Sequence, residues 1–236
     1  MSYIILQGSR HTKEKIQVSK ILCLGLNYSD HISEMKSEKP AEPVVFMKPA
    51  SAIIHNGSSV FIPAISKEAH HEVEIVMVIG TTARNIPENQ AMEYVAGFGI
   101  GLDMTLRDIQ AEAKKQGKPW TIAKGFDTSA PVSEFIARKL IPDPDNLDFK
   151  LMVNDQLKQQ GNSRDMIFKF AEIVSYLSTI FTLNRGDLIF TGTPAGVGPV
   201  QPGDKLTASL SDFTSFSVSI DKETDYQATS TKSKYI

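Results

Sequence analysis

Three acidic side chains near the middle of the chain have a spacing that suits a metal ion. Glu72 and Glu74 are two residues apart at the start of a continuous apolar run, and Asp103 follows the next apolar run. Side chains two apart on a strand share a face, and paired carboxylates that enter a core repel each other unless a cation lies between them. Because all three ligands are oxygens, the pattern favours Mg²⁺ or Mn²⁺. The alternative is that the two glutamates lie on a solvent-exposed strand face.

The run that ends at Asp103 has a strict alternation. Read as a strand, residues 97–103 place Phe98, Ile100 and Leu102 on one face, and only glycines and Asp103 on the other. A glycine face lets another group approach the backbone closely. A dinucleotide site is not indicated, because the glycine spacing is G-x-G-x-G and not G-x-G-x-x-G.

Two other places carry side chains suited to proton transfer or charge stabilisation. His31 and Glu34 lie three apart after a helix-start signal at Ser29, so the carboxylate would orient the imidazole next to a water molecule. Lys124 ends a short apolar run and would present an ammonium group to developing negative charge. The alternatives are an exposed charge pair on a helix and a surface lysine.

The segment from Gly192 to Gly198 is rich in glycine and proline. Its backbone N–H groups and the Thr193 hydroxyl could bind a substrate carboxylate, although a tight turn explains the same composition. His70 and His71 precede the acidic pair, but neighbouring strand residues face opposite ways, so both cannot reach one site. The sequence has no zinc-type spacing of Cys and His and no Ser-His-Asp order.

Composition and charge restrict the class of protein. The chain has 236 residues, a formal net charge of -2 and a pI near 6.2, which gives no electrostatic footprint for nucleic acid or an anionic membrane. The single cysteine, Cys23, lies in an apolar run and excludes a disulfide within the chain. No apolar stretch reaches the ~20 residues of a membrane span, and no leader pattern begins the chain. The expected location is the cytoplasm.

Turn signals, alternation and helical periodicity predict an α+β fold that is rich in β-strands and has few helices. With no repeat or linker in the sequence, we expect one domain over residues 1–236, with a polar tail over about 221–236. The predicted helices are 29–35, 87–94, 105–115 and 166–181, and the predicted strands are 3–7, 16–26, 44–48, 59–62, 72–79, 96–103, 148–153, 156–160, 188–191, 204–210 and 213–220.

Six motifs follow one another between about Ile21 and Leu206. They are Asn27–Met35, Phe46–Pro49, His70–Glu74, Leu102–Gln110, Pro119–Lys124 and Thr191–Gly198. In this order they resemble the fumarylacetoacetate hydrolase family, and most closely its small single-domain branch of acylpyruvate hydrolases and oxaloacetate decarboxylases. One such motif alone carries little weight, whereas all six in order are specific.

The resemblance implies a metal site and a catalytic group. The three acids named above match the Mg²⁺ ligands of the family. His31 and Glu34 match its water-activating pair, carried on a lid over about residues 27–42 that orders over bound substrate. Lys124 matches the lysine that supports the substrate oxyanion.

The resemblance also implies substrate contacts and a fold. Thr193, together with Gly192, matches the place that holds the substrate carboxylate, and Arg107 and Gln110 match further contacts. The implied fold is the mixed β-sandwich or roll of the family, usually a homodimer. At Leu26 the branch commonly has an arginine, which leaves open how a second charged end of the substrate would be recognised.

The predicted function is Mg²⁺-dependent hydrolysis of the C–C bond of acylpyruvates such as acetylpyruvate or fumarylpyruvate, with oxaloacetate decarboxylation as a second activity. A small 2-oxo acid is therefore the expected partner. The alternatives within the family are an isomerase or tautomerase of 2-oxo or 2-hydroxydienoic diacids, and an oxaloacetate tautomerase. Outside enzymes, the alternative is a protein that only binds a metal ion.

Overall fold

Two β-sheets of different size form most of the protein. The computed structural model describes residues 2–9, 12–34 and 38–222. Its strands are β1 (Tyr3–Gln7), β2 (Lys13–Gln17), β3 (Ile21–Gly25), β4 (Val44–Lys48), β5 (Ile53–Ile54), β6 (Ser59–Ile62), β7 (Ala69–His71), β8 (Val73–Ile79), β9 (Val95–Leu102), β10 (Thr105–Leu106), β11 (Ala130–Pro131), β12 (Phe135–Ala137), β13 (Asp148–Val153), β14 (Gln156–Asn162), β15 (Leu188–Phe190), β16 (Gly198–Val200), β17 (Lys205–Leu210) and β18 (Thr214–Lys222). Its α-helices are α1 (Ser29–Glu34), α2 (Arg107–Lys115), α3 (Thr121–Lys124) and α4 (Phe170–Ile180), and short 3₁₀ helices lie at Ala50–Ala52, Glu88–Tyr94, Arg138–Leu140, Pro144–Asn146 and Ser163–Asp165.

The larger sheet has eight strands in the order β2-β1-β12-β9-β8-β15-β3-β4. Near its centre, β8 pairs antiparallel with both β9 and β15. Every residue of β8 is buried, which accounts for its continuous apolar run, since a strand covered on both faces has no polar alternation. Glu74 is the charged side chain in this strand, and its burial needs a compensating interaction.

The smaller sheet has the order β14-β13-β17-β18-β6 and packs over β8 and β9. Its strand β17 buries Leu206, Ala208 and Leu210 and leaves the residues between them partly exposed, so one face lies on the core. β13 and β14 form the predicted hairpin, because Asn154 and Asp155 adopt the positive φ angles that a two-residue turn requires. A three-stranded sheet, β10-β7-β16, and the pair β11-β5 complete the described strands.

The glycine face of β9 is covered by aromatic rings of the protein itself. A Cβ atom added at Gly101 would lie 2.7 Å from the Phe190 ring, and one added at Gly99 would lie 3.1 Å from the Phe135 ring. The close approach to the β9 backbone that the sequence predicts is therefore made by core side chains of the protein itself.

The most periodic segment of the sequence forms α4. Phe170, Ile173, Val174 and Leu177 are buried along one stripe of this helix, as the spacing predicts. The Phe170 ring packs against Phe98 of β9, with the ring centroids 5.1 Å apart. The β-rich α+β fold predicted from the sequence is confirmed.

Several predicted boundaries are wrong. The strand expected over residues 16–26 is divided in two. β2 ends at Gln17, where its pairing with β1 ends, and β3 begins at Ile21, where its pairing with β4 and β15 begins. The helix predicted over residues 105–115 is α2, and it begins only at Arg107. The two residues expected at its start form β10, which pairs with β7. The last helix begins at Phe170, because backbone N–H groups of the two residues before Lys169 donate to Asn27 and hold that segment extended.

The polar tail expected from about residue 221 starts later, because β18 continues to Lys222. Residues 223–236, on which most of that prediction falls, lie outside the described residues. Within the described ranges, no α-helix is long and apolar enough to cross a membrane.

Candidate active site

The antiparallel pairing of β8 and β9 brings the three predicted metal ligands together. Glu74 lies opposite Gly101, and the backbone N–H of Asp103 donates to the carbonyl oxygen of Glu72 at 2.8 Å. Opposite residues of an antiparallel pair share a face, so the three carboxylates point to the same side. One oxygen atom of each carboxylate lies within 4.8 Å of the others, and all three residues are buried.

Lys124, at the end of α3, contacts two of these acids. Its Nζ atom lies 2.7 Å from Glu72 Oε2, 2.6 Å from Asp103 Oδ2 and 2.7 Å from Thr105 Oγ1. Burial alone would lower the pKa of Lys124, but the neighbouring carboxylates of Asp103 and Glu72 raise it above its usual value. The side chain therefore stays an ammonium group at neutral pH. Of the two alternatives for this lysine, the structure excludes an exposed surface position.

Two further cations contact the acids. Lys48 Nζ lies 2.8 Å from Asp103 Oδ1. The two groups form an ion pair without the geometry of a hydrogen bond. Arg107 donates to Glu72 from the start of α2. Burial would raise the pKa of Glu72, but the charges of Lys124 and Arg107 hold it well below its usual value. In the described part of the chain, three cationic side chains thus contact two of the three acids.

Glu74 is the acid without a cation of its own among the described residues. Its Oε2 atom accepts a hydrogen bond from the Gly192 N–H at 2.7 Å. Burial raises the pKa of Glu74 well above its usual value, and the charges of Asp103 and Glu72 raise it further. Ionising this carboxyl group beside two others costs free energy that a divalent cation would offset. The oxygen-only donor set of these three acids therefore fits Mg²⁺ or Mn²⁺.

The predicted proton-transfer pair lies on α1. His31 Nδ1 is 3.2 Å from Glu34 Oε2, with His31 buried and Glu34 exposed. The backbone N–H of Gly196 donates to the Glu34 carboxylate at 3.1 Å, which fixes α1 against the glycine-rich segment. Because the carboxylate binds Nδ1, Nε2 is the ring nitrogen available to a substrate. Of the predicted lid over 27–42, residues 35–37 lie outside the described residues.

One cavity joins these groups to the predicted substrate contacts. Arg107, Gln110 and Thr193 line it together with His31, Lys124 and two of the acids. The N–H of Gly192 donates to Glu74, so in this structure that amide holds a predicted metal ligand and does not face the cavity. Its prediction as a substrate contact stays a prediction. The apolar wall of the cavity contains Leu24, Leu26, Phe46 and Trp120.

The two histidines before the acidic pair face different surroundings. His71 is buried, and its Nδ1 atom lies 2.9 Å from Gln159 Oε1. His70 is partly exposed, and its Nε2 atom lies 2.8 Å from Glu68 Oε1. As the strand geometry predicts, they do not share a site.

Comparison with known proteins identifies the family. The chain matches the Fumarylacetoacetate (FAA) hydrolase C-terminal family over residues 20–220. The chain belongs to the fumarylacetoacetate hydrolase family. The resemblance predicted from the six sequence motifs is therefore confirmed.

Curated members of this family include sequences close to the chain. An oxaloacetate tautomerase of Bos taurus, named as mitochondrial, is 50% identical over 190 residues, which cover 80% of this chain and 86% of that protein. A human protein of the same name is 46% identical over 202 residues, covering 86% of this chain and 91% of that protein.

Solved structures of family members share the fold. Fumarylpyruvate hydrolase from Pseudomonas aeruginosa, in complex with Mn²⁺ and pyruvate, matches with a TM-score of 0.88 and 34% identity, covering 94% of this chain and 97% of that chain. A 2-hydroxyhepta-2,4-diene-1,7-dioate isomerase from Mycobacterium marinum matches with a TM-score of 0.78 and 34% identity, covering 89% of this chain and 79% of that chain. The predicted family fold is confirmed.

These family relatives test only part of the functional prediction. They are named as enzymes that act on small oxo acids or diacids, but the curated relatives at 46% and 50% identity are tautomerases, so C–C bond hydrolysis is not confirmed. One relative binds Mn²⁺, which supports a divalent metal ion without selecting Mg²⁺. Since the tautomerases are named as mitochondrial, the cytoplasmic location is not confirmed either. The single domain and the homodimer stay predictions.

Sequence analysis gave no role to Lys48, although it belongs to one of the six motifs. Its Nζ atom donates to the carbonyl oxygen of Met104 at 3.1 Å and to that of Lys124, in addition to its ion pair with Asp103. One sequence signal could have indicated that Lys48 is buried. Lys48 is two residues from the apolar Phe46 on a predicted strand, so the two side chains share a face. Both side chains line one pocket with Lys124.

Proposed function

We propose that this protein is a divalent-metal-dependent enzyme that forms the enolate of a small 2-oxo acid, and that its main reaction is the keto–enol tautomerisation of oxaloacetate. The observation that carries the proposal is one cavity lined by His31, which pairs with Glu34, and by Glu72 and Glu74, which cluster with Asp103. The names of the curated relatives favour tautomerisation over hydrolysis. A protein that only binds a metal ion would have no need of a buried imidazole, oriented by a carboxylate, beside the acids.

Glu72, Glu74 and Asp103 would hold the metal ion. When bound, the ion would act as a Lewis acid that stabilises negative charge on the 2-oxo oxygen of the substrate. The ammonium group of Lys124 lies next to two of these acids and adds positive charge at the same place. Its raised pKa suits it to stabilise charge and not to donate a proton.

His31 would carry the proton. As a neutral imidazole with its Nδ1–H directed at Glu34, it accepts a proton from C3 of the substrate at Nε2. The electron pair of the C3–H bond then forms the C2–C3 double bond as the π pair of the C2=O bond moves to the oxygen, and the same nitrogen returns the proton to that oxygen. No proton is gained or lost overall. Thr193, Arg107 and Gln110 line the cavity and would orient the substrate carboxylates.

Hydrolysis of acylpyruvates is the second candidate, supported by the structural similarity to a fumarylpyruvate hydrolase. In that reaction His31 would take a proton from water, and the resulting hydroxide would add to the distal carbonyl carbon. Cleavage of the C3–C4 bond then releases pyruvate as its enol together with the free acid. Oxaloacetate that loses CO₂ at C4 would give the same enol, so decarboxylation would use the same residues.

The test follows the enol absorbance of oxaloacetate and of acetylpyruvate with Mg²⁺ or Mn²⁺, and then with EDTA. We expect metal-dependent approach to keto–enol equilibrium, slowed about 100-fold in Glu34→Gln, because Glu34 fixes the tautomer of the base His31 and general base catalysis contributes about 10²–10⁴-fold. The exposed Glu88 provides a matched control, Glu88→Gln, which should keep full activity. Cleavage of acetylpyruvate without faster tautomerisation would favour the second candidate. No turnover of either acid with the metal bound would contradict both.

A further inference from the structure

We propose that Gln159 is a positioning residue that directs the hydroxyl proton of Thr193 at the substrate carboxylate. This inference rests on the proposed function, because it takes Thr193 as a contact of the bound 2-oxo acid. Gln159 lies outside the six motifs, on β14, and no role was assigned to it from the sequence.

Gln159 is buried on a strand that is otherwise largely exposed. Only 1% of its surface is accessible, whereas Gln156, Lys158 and Gln160 of the same strand are exposed. A buried amide needs partners for both its oxygen and its nitrogen. The side chain therefore makes its interactions inside the protein, at the junction of β14 with β8 and the glycine-rich segment.

Backbone groups fix which way the Gln159 amide points. The N–H of Val73, which can only donate, lies 3.0 Å from Oε1, and the carbonyl oxygen of Pro194, which can only accept, lies 3.0 Å from Nε2. The reversed amide would place two donors together and two acceptors together. His71 Nδ1, 2.9 Å from Oε1, must therefore carry the proton of its imidazole ring.

The orientation of the amide determines the orientation of the Thr193 hydroxyl. Gln159 Nε2 donates to Thr193 Oγ1 at 2.9 Å, so this hydroxyl already accepts one hydrogen bond and keeps its single proton to donate. Thr193 lines the cavity with Lys124, Glu72 and Glu74. A carboxylate oxygen accepts only, and is the partner that such a hydroxyl suits.

The same amide also fixes the distance between the substrate contact and the metal site. Val73, to whose N–H it binds, lies between Glu72 and Glu74 in the sequence. Thr193 is thereby tied through one side chain to the strand that carries two of the proposed metal ligands. Loss of the amide would release the hydroxyl without removing any group that contacts the substrate.

The experiment is a double-mutant cycle between Gln159 and Thr193. Pyruvate binding to the Mn²⁺-loaded protein is measured by calorimetry, and KM and kcat are measured for oxaloacetate, in Gln159→Met, Thr193→Val and the double variant. We expect each single variant to weaken pyruvate binding and raise KM about tenfold, the loss of one hydrogen bond to a charged group. We expect the double variant to lose no more than Thr193→Val alone.

Two further variants separate positioning from folding. Gln159→Glu keeps the shape of the side chain but offers only acceptor oxygens when ionised, so the Thr193 proton turns away from the substrate and KM rises as in Gln159→Met. Gln160→Met makes the same exchange at the neighbouring exposed glutamine and should leave KM and pyruvate affinity unchanged.

Losses that multiply in the double variant would overturn the inference, as would a Gln159→Met protein that binds pyruvate as well as the wild type. A wild-type protein that binds Mn²⁺ but neither binds pyruvate nor turns over a 2-oxo acid is a different result. It would contradict the proposed function first, and the inference only with it.

Discussion

At the scale of single residues, the site is a balance of buried charges. One oxygen of each of the three carboxylates lies within 4.8 Å of the others, and Lys48, Lys124 and Arg107 contact two of these acids. Removing one partner of a buried pair leaves the other charge uncompensated, which costs more than the pair itself contributes. Lys48 is the member of this balance that neither the proposed chemistry nor the substrate needs directly.

Lys48→Met should therefore weaken the protein without removing a catalytic group. We expect a loss of about 3–5 kcal/mol in the free energy of unfolding of the metal-free protein, since Asp103 loses a buried partner. The loss should be smaller with Mn²⁺ bound, because the ion supplies charge to the same carboxylate. Denaturant unfolding with and without Mn²⁺ measures both values.

The exposed pair between Lys13 and Glu134 gives the matched control. Lys13→Met should cost about 1 kcal/mol or less, because solvent screens an exposed ion pair. Equal losses for the two lysine variants, or a Lys48→Met loss that Mn²⁺ does not reduce, would contradict the charge balance.

Sequence patterns predicted the acids of the site better than its cations. Glu72 and Glu74 have the two-residue spacing of one strand face, which is local information. The burial of Lys48 depends on β4 pairing with β3 and on the backbone carbonyls that receive its Nζ atom. Such contacts join distant parts of the chain, and no local pattern reports them.

At the scale of elements, the segment between β15 and β16 holds α1, which belongs to the predicted lid. Gly196 has a φ of 92° and donates its N–H to Glu34. A Cβ atom there would lie 2.3 Å from the carbonyl oxygen of Lys158. The hairpin β13–β14 thus sets where this segment lies, and the segment sets where Glu34 lies.

Gly196→Ala should lower both stability and turnover. The positive φ costs about 1–3 kcal/mol for a residue with a Cβ, and the clash with Lys158 moves the N–H away from Glu34. Gly203→Ala is the matched control, because Gly203 has a similar φ of 96° with no atom near its Cβ position. It should lose about 1 kcal/mol of stability with unchanged turnover. Melting temperature and oxaloacetate turnover are measured in both. Unchanged turnover in Gly196→Ala would contradict the role of this segment.

The sequence predicted which elements have a strong local pattern. The apolar run of β8, the alternation of β9, the hairpin turn and the stripe of α4 are each visible in a window of a few residues. The short strands β7, β10 and β16 were not predicted, since their pairing with one another depends on residues far apart in the chain.

At the scale of the whole molecule, the cavity collects residues from distant segments. His31, Glu72, Lys124 and Thr193 come from four parts of the chain that only the folded sheets bring together. Periodicity and spacing suggested each residue separately but could not place them side by side. The family resemblance supplied that arrangement, and the geometry of the described residues agrees with it.

The central claim is that Glu72, Glu74 and Asp103 together bind one divalent cation. Because the pKa of Glu74 is raised, the affinity for the metal ion should depend on pH in a defined direction. Without metal, a raised carboxyl pKa favours the folded state at low pH, and that stability is lost as pH rises through the raised value. A metal ion replaces the proton on Glu74, so its affinity should increase over the same rise in pH.

The most direct test is a calorimetric titration of the metal-free protein with Mn²⁺ at pH 5.5 and pH 8. We predict one ion per chain, tighter binding at pH 8 than at pH 5.5, release of a proton on binding at pH 5.5, and loss of the pH dependence in Glu74→Gln, while the exposed control Glu88→Gln binds as the wild type does. Mn²⁺ binding that persists unchanged when Glu72, Glu74 or Asp103 is replaced by its amide would contradict the account.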